Sequence, residues 1–324
     1  MAVVGAGLMG MRHARVLVGL PGVQLTAVVD PSPEVLQGVG RTFDVWTTDH
    51  VANLPEIDGA IVASPDNAHR AVTVELLARG VSVLVEKPLA TTVEDATAML
   101  DAAHGTTLLM VGHLLRFDPR YLQARREFTS GRLGDLLHVY ARRNSARGAV
   151  RRYGTTTRLH WHVSVHDVDL VRWVTGREIV EVTARGVSRR SDAAGQLDSL
   201  VALLSLDNGC TAVVESCWSL PPHLRSAIDA RFSLVGTDGW LEVSGFQQGL
   251  TVVDSSSVSY PDTTRYAEYD DGAGGGILAA QLAHFVRCVE GYVSPLFDPT
   301  EALAAVRVVA AIERSLTTGA PVGL

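Results

Sequence analysis

The first part of the chain alternates short apolar runs with stretches of helical periodicity. The run at 60–64, Ala-Ile-Val-Ala-Ser, is apolar almost throughout instead of alternating, as expected of a strand covered by helices on both faces of a parallel sheet. Repeated strand–helix order predicts a doubly wound α/β domain. The predicted strands are Met1–Val4, Gln24–Asp30, Asp44–Trp46, Gly59–Ser64, Val81–Val85 and Leu108–Gly112, and the predicted helices are Met9–Gly19, Pro33–Arg41, Ala68–Arg79 and Val93–Ala103.

From about Tyr121 the pattern changes. Strands of partly alternating polarity run from Ile179 to Asp254, and the turn sequences Asp207-Asn208-Gly209 and Thr237-Asp238-Gly239 predict hairpins. We therefore predict two domains, 1–118 and 119–324, the second an α+β domain on an open, mostly antiparallel sheet. Its other predicted elements are the helix Tyr121–Thr129, the strand Leu136–Asn144, the helix Val163–Val174 ended by Gly176, and two final helices, Ile277–Val289 and Pro299–Leu316.

A glycine-rich turn follows the first predicted strand and opens the first predicted helix. Its residues are Gly5, Ala6, Gly7, Leu8, Met9 and Gly10, which fit the pattern GxGxxG. In that context the pattern is the fingerprint of a Rossmann dinucleotide site, where the backbone and the helix N-terminus bind the pyrophosphate. Asp30 ends the second strand and is expected to accept hydrogen bonds from the adenosine ribose. No arginine follows in Pro31–Glu34 to bind a 2′-phosphate, so NAD is favoured over NADP.

Composition excludes several classes of protein. Hydrophobic residues make up 47% of the 324 and charged residues 19%, which is enough apolar sequence for a large core and excludes a disordered chain. The net charge of −7 is spread along the chain with no basic block, so no nucleic-acid partner is expected. No apolar run reaches the ~18 residues that span a bilayer, so no membrane partner is expected. Cys210, Cys217 and Cys288 show no CxxC spacing, which favours a reducing cytoplasm and no structural zinc.

Lysine usage singles out one position. The 28 basic residues are 27 arginines and one lysine, Lys87. Arginine stays protonated at any working pH, whereas a desolvated lysine can release a proton. A general preference for arginine explains the bias but not the retention of a single lysine. Lys87 is therefore a candidate catalytic residue.

Four motifs in order resemble the Gfo/Idh/MocA oxidoreductases. They are the GxGxxG turn, the segment Ala63–His69, Glu86-Lys87-Pro88, and His166-Asp167-Val168-Asp169. The resemblance implies an NAD-dependent oxidoreductase that acts on a secondary hydroxyl, or the ketone, of a sugar, inositol or related polyol, with Lys87 and His166 as catalytic residues. It implies further cofactor contacts, in addition to the glycine-rich turn and Asp30. It also implies a homodimer or homotetramer. The further cofactor residues are Ser64, Pro65, Asn67, His69, Glu86 and Lys87.

One departure from the family pattern concerns the substrate side of the site. Many polyol dehydrogenases of the family carry aspartate four residues before the catalytic histidine, and here that residue is His162. Residues at i and i+4 share a helix face, so His162 and His166 are both expected to contact substrate. Arg116 is a candidate for contact with substrate or cofactor or, equally, for an interdomain salt bridge. Trp161 could stack on a sugar ring or pack in the core.

Three other functions stay open. An NAD-dependent glycosidase on the same scaffold would return its hydride, and a non-catalytic regulator would bind NAD and a sugar without turnover. A metallohydrolase is a third alternative because His162 and His166 have zinc-ligand spacing, but Val163 stands where HExxH requires glutamate, so no metal is assigned. A group of arginines could contact a phosphate or nucleotide-sugar substrate, or form a solvated loop. Its members are Arg147, Arg151, Arg152 and Arg158.

Overall fold

A computed structural model describes most of the chain. The described residues are 1–105, 107–146, 157–189, 196–221, 225–226, 228–245, 250–253, 258–260, 262–267, 269 and 272–324. Arg147, Arg151 and Arg152 of the predicted arginine group lie outside them, so that prediction is not tested.

The N-terminal sheet has six strands, all parallel, in the order β3-β2-β1-β4-β5-β6. This is the strand order of a Rossmann dinucleotide-binding domain. Its strands are β1 (Ala2–Val4), β2 (Ala27–Val29), β3 (Trp46–Thr48), β4 (Gly59–Val62), β5 (Ser82–Val85) and β6 (Leu109–Val111), and its helices are α1 (Leu8–Gly19), α2 (Pro33–Thr42), α3 (His69–Ala78) and α4 (Val93–Asp101). The predicted fold class is confirmed.

Local sequence explains most of these boundaries. Every residue of β1, β2, β4, β5 and β6 is buried, in keeping with the apolar runs that predicted them. Ser32 caps α2 by accepting from the Val35 N–H, and Pro33 occupies its first turn. The strand predicted at Asp44–Trp46 is wrong in position, because β3 begins at Trp46. This edge strand is only partly buried, so its apolar signal is weak.

The second sheet is mixed, with the order β13-β12-β7-β10-β9-β8-β16. All neighbours are antiparallel except β7 and β10, which pair in parallel. Parallel neighbours need a long crossover, and here the chain between them forms a helix and the β8–β9 hairpin. The strands are β7 (Leu136–Ala146), β8 (Ile179–Val187), β9 (Ser199–Leu206), β10 (Thr211–Leu220), β12 (Ile228–Gly236), β13 (Trp240–Ser244) and β16 (Val322–Gly323); β11 (Arg225–Ser226), β14 (Val252–Val253) and β15 (Val258–Tyr260) form a small separate sheet.

The helices of the second half differ from the prediction at one point. They are α5 (Pro119–Thr129), α6 (Val165–Thr175), α7 (Gly276–Val289) and α8 (Thr300–Thr318). The helix predicted from Val163 begins as a single π turn at His160–Ser164, and the α-helix starts at Val165. Apolar periodicity does not separate a π turn from an α turn. The predicted end at Gly176 is confirmed: its φ of 63° provides the left-handed residue that commonly ends a helix.

The chain divides into two compact units. Unit 1 contains 1–114 and 264–306, and unit 2 contains 115–263 and 307–324. A single division near residue 118 therefore differs from this partition, since 264–306 belongs with unit 1. The physical reason is the packing of α7 on α1. Ala273, just before α7, also lies against α1, since a Cβ added at Gly19 would be 3.1 Å from the Ala273 Cβ. Within the described ranges, none of the helices has the length and apolar character needed to cross a membrane.

Candidate active site

The glycine-rich turn after β1 lies against the end of β4. Gly5 has φ +90°, and a Cβ there would lie 2.6 Å from the Ala63 carbonyl oxygen. A Cβ on Gly10, one turn into α1, would lie 1.7 Å from the Gly5 carbonyl oxygen. Both contacts exclude any side chain, so the two glycines are required for the chain to turn and for α1 to pack on the sheet.

The N-terminus of α1 is open. Gly7 and Leu8 are exposed, and a Cβ added at Gly7 would meet no atom within 4 Å. Gly7 is the N-cap and offers no side-chain acceptor, and the first turn contains no acidic residue. The first N–H groups of a helix have no intrahelical partner, and together with the helix dipole they attract an anion. Gly7, Leu8 and Met9 therefore lie where the prediction needs a pyrophosphate-binding backbone.

Asp30 is tied to the same turn. Its Oδ2 accepts from the Ala6 N–H at 2.8 Å and its Oδ1 from the Ser32 N–H at 3.0 Å. The side chain is half-buried at the end of β2. A carboxylate has about four acceptor sites, so these two bonds fix its orientation and leave lone pairs for ribose hydroxyls.

The loop after β4 carries four further predicted cofactor residues. Pro65 and Asn67 are exposed, and the Ser64 Oγ is buried without a hydrogen-bond partner in the described part of the chain. His69 is buried: its Nε2 lies 3.1 Å from the Ser64 carbonyl oxygen and its Nδ1 lies 2.9 Å from that of Pro88. The imidazole thus joins the β4 loop to the segment that carries Lys87, and supports the site from inside.

Lys87 is the accessible residue of a buried segment. Every other residue in 81–90 is buried, whereas Lys87 is half-exposed just beyond the end of β5. Glu86 is buried beside it and accepts from the Lys87 backbone N–H through Oε2 at 3.2 Å. Burial raises the pKa of Glu86, but a hydrogen bond and charge from His13, together with the charge of Lys87, outweigh burial and hold that pKa below its usual range. The Glu86 side chain is therefore ionised and places a negative charge beside Lys87.

His162 and His166 are the accessible residues of a second buried segment. All other residues in 159–175 are buried, and these two are half-exposed. Arg143 donates to Asp167 through Nε and Nη2 at 2.9 and 2.8 Å, so this neighbour of His166 is held in a buried ion pair. The accessible side chains of the segment are thus the two imidazoles, while Asp167 is buried.

Two predicted substrate contacts turn out to be structural. Arg116 is fully buried, and its Nε and Nη2 donate to Asp169 at 3.0 and 2.6 Å. Both residues belong to unit 2, so the ion pair exists but is not the interdomain bridge that the sequence suggested. Trp161 is 3% exposed and donates from Nε1 to the Glu313 Oε2 at 3.1 Å, so it packs in the core.

No metal centre is evident in the part of the chain that the structure describes, since no three His, Cys, Asp or Glu side chains there converge on one point. His160 is buried, and burial together with the charge of Arg158 lowers its pKa to about 4. This histidine is therefore neutral at neutral pH.

Sequence reasoning missed His13. The inner face of α1 also carries Gly10, Ala14 and Leu17, and a lone histidine on such a face resembles an ordinary core residue. Its signal is positional: it lies three residues after the last glycine of the fingerprint. The structure places its Nε2 2.8 Å from the Glu86 Oε1.

The exposed Gly7 backbone, the oriented Asp30 carboxylate and the orphan Ser64 Oγ fit a dinucleotide at this sheet edge. The chain matches the family model described as an oxidoreductase family with an NAD-binding Rossmann fold over residues 1–113, and the GFO/IDH/MocA C-terminal domain over 121–242. This chain belongs to the Gfo/Idh/MocA oxidoreductases. It is an NAD-dependent oxidoreductase that acts on CH–OH groups.

Relatives of this Gfo/Idh/MocA protein include inositol dehydrogenases. It is 28% identical to the scyllo-inositol 2-dehydrogenase (NAD(+)) of Bacillus subtilis, over 100% of this chain and 95% of that protein. It is 32% identical to inositol 2-dehydrogenase 1 of Saccharopolyspora erythraea, over 75% and 73% of the two chains. The scyllo-inositol dehydrogenase of Lactobacillus casei, solved with NAD(H) and scyllo-inositol, has the same fold, with a TM-score of 0.86, 20% identity and coverage of 99% and 98%.

Replacing Asp30 by Asn should reduce the preference for NAD over NADP. The charge-assisted bond to the ribose is lost and the repulsion of a 2′-phosphate disappears, so we expect NAD to bind about tenfold more weakly and NADP to bind more tightly. Calorimetric titration of both cofactors measures this. Glu34→Gln, an exposed acid in the next turn that changes the net charge equally, should leave both affinities unchanged. Unchanged discrimination in Asp30→Asn would contradict the role given to Asp30.

Proposed function

We propose that the enzyme oxidises a secondary hydroxyl of an inositol, sugar or related polyol with NAD, or reduces the corresponding ketone. The observation that carries the proposal is the pattern of exposure. In 81–90 only Lys87 is accessible, and in 159–175 only His162 and His166 are. Groups that can move a proton are thus the ones that these buried segments leave accessible. The named relatives that act on inositols support the substrate class.

The glycine turn and Asp30 would hold NAD, which would supply the acceptor for the hydride of the carbinol carbon. His166, as a neutral imidazole, accepts the hydroxyl proton, which is general-base catalysis. Lys87 donates a hydrogen bond to the same oxygen and stabilises the negative charge that develops on it. Glu86 keeps Lys87 in place through the backbone N–H. We assign His162 to a neighbouring hydroxyl of the polyol, because it is accessible on the same segment.

Turnover with a substrate panel tests the proposal directly. Inositols, free sugars and nucleotide sugars are incubated with NAD, and NADH formation is followed at 340 nm. Net NADH with a free polyol supports a dehydrogenase. Hydrolysis of a glycoside without net NADH would replace this proposal by a glycosidase, and binding of NAD and sugar without either reaction would replace it by a regulator.

Substitutions of Lys87 test the role proposed for its amine. Lys87→Arg and Lys87→Met should each lose about 100-fold in kcat/KM, or about 2.7 kcal/mol of transition-state stabilisation. Methionine removes the charge, and the broad guanidinium cannot approach one oxygen as an ammonium does or share its proton. NAD affinity, measured by titration, should change much less, because the glycine turn and Asp30 carry that binding. Near-normal turnover by Lys87→Arg would show that only a positive charge is needed.

The two accessible histidines are separable by mutation. His166→Asn should lower kcat by ~10²–10⁴ because the proton acceptor is lost, with NAD binding intact. His162→Asn is the matched control on the same segment and should mainly raise KM. If His162→Asn lost turnover while His166→Asn kept it, the two roles would be exchanged.

We also propose that the protein forms a homodimer or homotetramer through the open face of the second sheet. Val201 and Leu203 on β9 are each 47% exposed there, with Val213 of β10 beside Leu203. An exposed apolar patch on a sheet face is a common contact between subunits. Leu203→Arg should therefore reduce the mass measured by light scattering, whereas Tyr292→Arg, at a 73% exposed aromatic residue in unit 1, should not. A wild-type monomer would contradict the proposal.

We assign the reaction to the cytoplasm. Cys210, Cys217 and Cys288 are free thiols in half-buried positions. A reducing compartment keeps such thiols free, and the NAD that the enzyme uses is a metabolite of the cell interior.

A further inference from the structure

A buried hydrogen bond joins α1 to the segment that carries Lys87. The His13 Nε2 lies 2.8 Å from the Glu86 Oε1, and the two side chains are 0% and 10% exposed. Both residues belong to unit 1. His13 lies on the face of α1 that packs on the sheet, three residues after Gly10. The helix that begins at the pyrophosphate-binding turn therefore contacts the residue that precedes Lys87.

The other oxygen of Glu86 holds the Lys87 backbone. Oε2 accepts from the Lys87 N–H at 3.2 Å. The backbone of Gly112 also lies close to this oxygen, since a Cβ added at Gly112 would be 3.1 Å from Oε2. A buried carboxylate is stable only when donors satisfy it. Two donors from different parts of unit 1 thus fix it: one from α1 and one from Lys87 itself.

The next question is which partner donates in the hydrogen bond between His13 and Glu86. Nδ1 is buried and has no hydrogen-bond partner in the described part of the chain. An ionised carboxylate can only accept hydrogen bonds, so the proton shared with Glu86 is on Nε2. His13 is therefore the donor of this bond and Glu86 the acceptor, and the carboxylate keeps its negative charge beside Lys87.

We propose that His13 is a positioning residue for Lys87 and acts through Glu86, an inference that rests on the catalytic role proposed for Lys87. The bond from His13 keeps Glu86 ionised and oriented. Glu86 in turn fixes the Lys87 backbone and favours the protonated form of its amine, because two interacting charges stabilise each other equally. Because His13 lies on α1, the helix that begins at the glycine-rich turn also helps to fix the position of Lys87.

The single lysine makes Lys87 directly observable. In tag-free protein labelled with ¹³C-lysine, one side-chain signal is present per chain, and its pH titration reports the pKa of Lys87 without any substrate. His13→Leu removes the donor that orients Glu86, so the carboxylate is no longer held beside Lys87 and the pKa of Lys87 should fall. Glu86→Gln should move it in the same direction. His13→Gln, which retains an N–H donor, should lie closer to the wild type.

A double-mutant cycle separates positioning from general damage. If His13 acts through Glu86, His13→Leu combined with Glu86→Gln should shift the Lys87 titration no further than Glu86→Gln alone. Leu17→Ala is the matched control: it creates a cavity one turn later on the same face of α1 and leaves both bonds intact, so the titration should not move. If His13→Leu does not fold, His13→Gln and Glu86→Gln still carry the comparison. An unchanged titration in Glu86→Gln overturns the proposal.

Kinetics supply the second readout. With the polyol that gives the highest turnover, His13→Leu should lose about tenfold in kcat, with a smaller change in the dissociation constant of NAD, since a reactive group held less firmly spends less time in productive geometry. The loss of activity at high pH should begin at lower pH than in the wild type. A wild type without polyol turnover would overturn the proposed function and leave the titration result standing. A turning-over wild type with an unshifted Lys87 in His13→Leu would overturn only the present proposal.

Discussion

The close approach of Gly5 to the backbone at Ala63 is the contact on which the rest of the cofactor site depends. No side chain fits there, since even a Cβ would lie 2.6 Å from the Ala63 carbonyl oxygen. The strand order places β1 between β2 and β4, so this contact brings the turn after β1 to the loop after β4. Asp30, at the end of β2, completes the arrangement by accepting from the Ala6 N–H. These contacts join the carboxyl ends of the parallel strands β1, β2 and β4, and parallel sheets bind ligands at that edge.

Local signals predicted this part of the molecule well, because its determinants are short-range. The glycine spacing, the acid at the end of β2 and the buried runs of β4 and β5 each depend on neighbours in sequence. β3 was misplaced because a half-buried edge strand carries little apolar pattern. The parallel pairing of β7 with β10 could not be predicted, since it joins strands separated by a helix and a hairpin. Whether Arg116 binds substrate or Asp169 likewise depends on a contact 53 residues away in sequence.

Histidines show the same limit. His166 and His69 are singled out by their motifs, yet His13 carries no comparable local signature. The roles of His13 and His69 come from partners distant in sequence: Glu86 for His13, and the Ser64 and Pro88 carbonyl oxygens for His69. Both imidazoles are buried around the segment that carries Lys87. A buried polar side chain is costly unless it is paired, so its partner, more than its own identity, reveals what it does.

The surroundings of Lys87 and His166, the two proposed catalytic residues, have one physical property in common. Lys87 stands on a segment whose other residues are buried, and His166 stands on a helix held by the ion pairs Arg143–Asp167 and Arg116–Asp169. Buried ion pairs add little net stability, because desolvation offsets their attraction, but they penalise any other placement of the helix. Each proposed catalytic side chain therefore projects from backbone with few alternative positions. These side chains then lose less orientational freedom when substrate binds. Such restriction favours a reaction in which a hydride and a proton must both be aligned on one carbinol group.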